Sequence, residues 1–134
     1  LGRIKSMKKL TILLFSILIS FNSYGEWTKV VENAIGDTTY IDTSTIKERN
    51  GYVYWWAMMD YLVPTEQGFL SGKTLTQNDC YMYRNKLLSF SSYKQPMGSG
   101  RVYLTTNPSN PEWVYTSPGS MGSIEAEYGC NYFK

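Results

Sequence analysis

Residues 51–61 read GYVYWWAMMDY, and no other stretch limits the fold as much. Successive side chains of a strand point to opposite faces. Val53, Trp55, Ala57 and Met59 would share one face, and Tyr52, Tyr54, Trp56 and Met58 the other. A strand with one face in water needs bulk on one side only. Here both sides carry it, so each face must find its own cover. Asp60 falls on the even-numbered face, where two tyrosine hydroxyls also tolerate water. The odd-numbered face is therefore assigned to the core and the even-numbered face is the wetter one. Each large aromatic buries about 150–250 Å². Three such side chains left open would match or exceed the roughly 300–600 Å² of a monomer's largest apolar patch. Either loops of the same chain cover Tyr54, Trp56 and Met58, or a partner does.

The flanking sequence reads as more strands. EWTKVVE has strand character over residues 27–31, and TTYID over residues 38–42. Asp42, Thr43 and Ser44 carry side chains that bond their own backbone and start turns. Asn50-Gly51 between two runs is a two-residue hairpin signal. Pro64 and Gly68 bracket a loop. FLSGKTLTQ (69–77) is a strand weakened at Gly72. CYMYRNKLLSFSSY (80–93) reads as strand with a bend near Asn85, in competition with a helix starting at Asp79. PMGSG is a turn, RVYLTT a strand, NPSNPE a loop and WVY a short extended piece. The end differs: Pro118 and Gly119 precede a helix capped by Ser120 or Ser123. Glu125 and Glu127 would lie in or near its first turn, and Met121, Ile124 and Tyr128 would form its apolar stripe.

The N-terminus carries a different signal. From Met7, the reading start, Lys8 and Lys9 precede an apolar stretch over residues 10–21 that is short for a membrane span. Ser23 and Gly25 stand at −3 and −1 of a cleavage site before Glu26. These parts make a secretory signal peptide over residues 1–25, with an uncleaved anchor as the alternative. Removing Arg3, Lys5, Lys8 and Lys9 from the 13 bases leaves 9 against 11 acids, all beyond the signal, so the mature chain is acidic. Without clustered Lys and Arg, nucleic acid is excluded as a partner class. The remaining residues 26–134 suit one domain, small enough to profit from a cross-link. Export would carry Cys80 and Cys130, the only cysteines, into an oxidising compartment. A disulfide closing that loop stabilises by about 4 kcal/mol in the chain-entropy model. A metal site lacks ligands, because the chain has no histidine.

The same absence removes Ser-His-Asp and Cys-His catalysis. Gly119-Ser120-Met121-Gly122 lacks nucleophile-elbow spacing, and MGSGR lacks the third glycine of a dinucleotide loop. Asp42, Asp60 and Asp79 are the remaining acid–base candidates, of the kind a glycoside hydrolase uses. Each stands at a strand end, where a turn-forming aspartate is ordinary. No catalytic residue and no cofactor is expected.

YIDTSTI (40–46) resembles the Tyr-Ile-Asp-x-x-x-Ile segment of the surface-adhesin protein E family. The aromatic strand ending in Asp60, the triplet Asn78-Asp79-Cys80, the Gly98-x-Gly100 turn and the GCNYFK ending around Cys130 resemble it too, in the same order. The resemblance covers nearly all of residues 26–134. It implies an α+β fold: a single antiparallel sheet of about six strands, with a C-terminal helix pinned by a Cys80–Cys130 disulfide. It also implies adhesion, since the adhesin that names the family is a lipid-anchored, dimeric surface protein that binds host matrix and serum proteins. Two departures stand out. No cysteine follows the cleavage site, so no lipid anchor is expected. Residues 64–86, which match a segment rich in Lys and Arg in that adhesin, carry Lys73, Arg84 and Lys86 against Glu66 and Asp79. The reading is an exported, non-enzymatic module, periplasmic or secreted, that binds a protein partner through Tyr54, Trp56 and Met58. The competing reading is a structural homodimer through that same aromatic face.

Overall fold

The computed structural model describes residues 26–134. Residues 1–25, where a signal peptide is expected, lie outside the described residues. Eight strands form one sheet: β1 (Trp27–Glu32), β2 (Thr38–Asp42), β3 (Lys47–Arg49), β4 (Tyr52–Asp60), β5 (Ser71–Asp79), β6 (Arg84–Tyr93), β7 (Val102–Thr106) and β8 (Val114–Tyr115). The single helix among the described residues, α1 (Met121–Asn131), closes the chain. The strand order is β1-β2-β4-β5-β6-β7, with β3 on β4 and β8 on β6. Every pairing is antiparallel. This is the expected six-strand sheet with two short strands added.

Both additions arise where a neighbouring strand is interrupted. Ile41 pairs with Ala57 and Lys47 with Tyr54, so six steps on one side face three on the other. The surplus forms a 3₁₀ turn, Thr43–Thr45. Asp42 Oδ1 starts that turn by accepting from the backbone N–H of Ser44 at 3.1 Å and from its hydroxyl at 2.6 Å. The turn also repairs the ladder it breaks, because Thr45 Oγ1 accepts from the Trp56 N–H at 3.0 Å. Asn50 and Gly51 then adopt φ of 53° and 84°, the pair of left-handed residues that a two-residue hairpin requires.

The odd-numbered face of β4 is the core, as expected. Trp55 and Ala57 pack with Ile41 and Ile46, and Trp55 is 0% exposed. The helix covers this face, but not with its expected stripe. Ile124 and Tyr128 are exposed. Apart from Glu125, the residues turned to the sheet are small: Ala126, Gly129 and Cys130. Gly129 is buried in the last turns of α1. A Cβ there would overlap the six-membered ring of Trp55. The indole is the largest side chain in the core, and a helix can lie over it only by presenting backbone. Glu125 is also displaced from expectation. It lies one turn beyond the start of α1, and Trp55 Nε1 donates to its Oε2 at 3.0 Å. Burial pushes the Glu125 carboxyl above its ordinary value, and the indole N–H offsets this only in part. Ser120 is the N-cap, accepting from the Ser123 N–H at 3.2 Å. Cys80 and Cys130 form the disulfide, with Cα atoms 5.8 Å apart.

The even-numbered face is covered by two loops of the same chain. Near Asp60, the segment after β6 folds over it and forms a 3₁₀ turn, Pro96–Gly98. Asp60 Oδ1 accepts from the Met97 N–H at 2.7 Å. The buried Ser71 hydroxyl donates to the Gln95 carbonyl at 2.6 Å and accepts from the Gly98 N–H at 2.8 Å. Met58 lies beneath and is 0% exposed. Its place in an open partner-binding patch is therefore corrected. At the other end Trp113 packs on Tyr52 with ring centroids 5.3 Å apart, and Arg84 and Lys86 lie over its ring. Tyr54 and Trp56 stand between the two covers, half-buried.

Two results follow. Gly→Ala inside a helix ordinarily stabilises by about 1 kcal/mol. Gly129→Ala should instead destabilise by roughly 1–3 kcal/mol, as overpacking does, and a denaturant melt will show the sign. Because Glu125 binds its proton more tightly when folded, its contribution to stability is full below the ordinary glutamate range. That contribution is lost as pH rises through the raised value. Glu125→Gln should abolish that part of the pH slope, read as the difference between wild-type and variant melts across pH 3–8.

Candidate functional site

The most exposed aromatic side chains cluster at the end of the sheet where the disulfide sits. Residues 80–83 are a turn between β5 and β6. They hold Tyr81 at 92%, Met82 at 48% and Tyr83 at 69% exposure. Apolar groups so open are ordinarily mobile, yet this turn is tied on every side. Asp79 Oδ1 accepts from the backbone N–H groups of Tyr81 and Met82, at 3.2 and 3.1 Å. Its Oδ2 accepts from Arg84 Nε at 2.9 Å. Burial pushes the Asp79 carboxyl up, but Arg84 and the two amides outweigh it and hold the group below its usual range. The Arg84 guanidinium in turn stacks over Trp113, 4.4 Å from its centroid. The Tyr83 carbonyl accepts from both the N–H and the hydroxyl of Thr116, at 3.0 and 3.2 Å. Cys80 is bonded to α1.

Tyr83 itself has φ 54°, a conformation that costs a bulky residue energy and that persists where surroundings impose it. Here the Thr116 bonds and the Asp79–Arg84 pair impose it. The exposed Val114 and Tyr115 of β8 lie beside this turn, because β8 pairs with Arg84 and Asn85. The end of the helix adds Tyr132 and Phe133, whose rings meet edge to face at 5.1 Å. Between turn, helix and the 116–119 segment lies a cavity of about 530 Å³.

A family profile described as surface-adhesin protein E matches residues 27–131. The chain belongs to the surface-adhesin protein E family. Solved structures of Haemophilus influenzae protein E have the same fold. One crystal form superposes with a TM-score of 0.58 at 19% identity, covering 80% of this chain and 88% of that one. A second structure gives 0.54 at 19%, covering 80% and 85%. Protein E from a non-typeable strain gives 0.52 at 19%, covering 79% and 76%. Identity at this level carries the fold alone. No curated protein sequence matches the chain.

Within this protein E fold the other residues singled out from sequence have structural partners. The three aspartates are not brought together. Asp42 binds its own turn and also accepts from the Glu26 N–H at 3.1 Å. Asp60 holds Met97, and Asp79 holds the turn of residues 80–83. Asp42 is one residue beyond Ile41, which pairs with Ala57, so it lies roughly 13 Å along the sheet from Asp60 at the usual strand rise. Catalytic carboxyl pairs stand about 5–9.5 Å apart. The cations of residues 64–86 are engaged with aromatic rings: Lys73 lies 5.7 Å from the Trp27 centroid and 5.0 Å from that of Tyr93. Tyr81, Met82 and Tyr83 were not singled out from sequence because residues 80–93 read as strand, with its bend placed near Asn85. The available signal was Asp79, a turn-forming residue standing where the strand ends. No helix of the described residues is long and apolar enough to cross a membrane.

Proposed function

We propose that this chain is an exported, non-enzymatic binding module of the adhesin type, and that it recognises a protein through Tyr81, Met82 and Tyr83. The observation that carries this reading is the combination of two properties at one turn. Its aromatic side chains are open to water, while its backbone is fixed by Asp79, Thr116 and the disulfide. Tyrosines held in place bind at low entropic cost and dominate many protein interfaces. Membership of the adhesin family supports the class of function. By that likeness the partner would be a host matrix or serum protein, met by a chain that loses residues 1–25 on export and carries no lipid.

Tyr54, Trp56 and Met58 fit the role less well. With Met58 buried and the other two half-buried, that face offers two partly covered rings to a partner or to a second copy. Non-enzymatic action is favoured by the separation of Asp42, Asp60 and Asp79 and by the structural bond each makes.

The double variant Tyr81→Ala/Tyr83→Ala separates the two faces. Exposed substitutions leave stability within about 0.5 kcal/mol, whereas loss of interface anchors costs at least tenfold in affinity, about 1.4 kcal/mol. Capture of matrix or serum proteins by the oxidised domain should therefore fall at least tenfold with an unchanged melt. Capture that survives this variant and is lost in Trp56→Ala would overturn the assignment in favour of the sheet face.

A further inference from the structure

The cavity beside the turn has a composition that none of the foregoing uses. Asn78 lies on β5 and Asn85 on β6, paired in register, and Asn131 ends α1, so three asparagines from three elements line the cavity. Asn78 Nδ2 donates to the Val53 carbonyl at 3.1 Å and to Thr76 Oγ1 at 2.9 Å, and its Oδ1 accepts from nothing among the described residues. Thr39 Oγ1 is the one fully enclosed side-chain polar atom without a partner there. The free Oδ1 of Asn78 is therefore not fully enclosed, and Asn78 is among the residues that line the cavity. Asn85 and Asn131 make no side-chain hydrogen bond among the described residues. Ser123 and Thr116 also line the wall, and their hydroxyl protons are committed to the Ser120 and Tyr83 carbonyls at 2.9 and 3.2 Å. Towards a ligand these two hydroxyls can only accept.

The wall is thus rich in acceptors, with carboxamides that both donate and accept. Its charges balance. Arg84 is paired with Asp79, and Glu127 and Lys134 contribute one of each sign. The rest is apolar: Pro118, Ala126 and the disulfide. The ligand class that suits this wall is uncharged, offers several O–H groups and carries a C–H face. Its size is bounded by about 530 Å³, within the usual range of small-molecule sites. We propose that this cavity binds a single uncharged sugar ring, such as the terminal residue of a glycan. The ring would donate its hydroxyls to the carboxamides, to Ser123 and to Glu127, and set its C–H face against the disulfide. The proposal is independent of protein recognition by the neighbouring turn.

Titration of the oxidised, isotope-labelled domain with methyl galactoside, methyl glucoside and N-acetylglucosamine tests it. At least one neutral sugar should shift the side-chain NH₂ signals of Asn78, Asn85 and Asn131 in a saturable way, with Kd on the order of 1 mM as expected for so small a ligand. Asn85→Ala should weaken that binding at least about fivefold, the loss typical of one hydrogen-bonding side chain. Asn131→Ala, at an exposed position, should do the same with an unchanged melt, so the test survives a folding defect in the first variant. Glucuronic acid should bind more weakly than the neutral sugars. Absence of any saturable shift up to about 50 mM, binding undiminished in Asn131→Ala, or tighter binding of glucuronic acid would each overturn the proposal.

Discussion

The contact between the Trp55 indole and the backbone of α1 at Gly129 organises the rest of this molecule. The indole fills the centre of the covered sheet face and leaves no room for a side chain above it. The helix can dock only through a strip of small residues, and Ala126, Gly129 and Cys130 supply it. The strip's own side chains add little apolar area beyond that of the indole they cover. The disulfide offsets that shortfall. Closing a loop between residues 50 apart in sequence stabilises by about 4 kcal/mol in the chain-entropy model, a large share of the 5–15 kcal/mol typical of a domain. It joins the same helical turn to the end of β5. The Glu125–Trp55 hydrogen bond fixes the rotation of the helix over the indole.

That docking has consequences at the surface. The helix, the 116–119 segment and the turn of residues 80–83 meet at one end of the sheet, and the disulfide is the covalent link among them. Asp79 turns the chain and Arg84 holds Asp79, while Trp113 packs against Arg84 from the far side of the sheet. The exposed tyrosines are therefore presented by a scaffold whose two faces are both engaged. A turn held this way loses little freedom on binding, which favours recognition by rigid aromatic anchors. The family to which the chain belongs is one of surface adhesins, and this arrangement is compatible with that class.

Parts of this were legible in the residues. Asn50-Gly51 announced the hairpin because two left-handed residues in sequence have few other uses. The two cysteines announced the clamp, and alternation along residues 52–60 separated the core face from the other. What escaped was set by tertiary packing. Periodicity ranks positions by hydrophobicity, so it selected Met121, Ile124 and Tyr128, whereas the indole selects for absence of bulk. Gly129, a poor helix former by propensity, is the helix's point of contact with the sheet. The cover over Met58 is made by backbone N–H groups of Met97 and Gly98 bonding to Asp60 and Ser71, and no local pattern encodes a loop folding back on a strand. The exposed turn was hidden at the start of a segment that reads as strand, since Tyr and Met suit a strand as well as a turn tip.

Hydrogen exchange measured before and after reduction of Cys80–Cys130 tests the central claim most directly. If the helix clamp organises this end of the sheet, reduction will release protection in α1 and at Tyr81 and Met82 together, while the β4–β5 amides stay protected. Loss of protection in α1 with the turn of residues 80–83 unchanged would contradict it, because the turn would then be held by Asp79 and Thr116 alone.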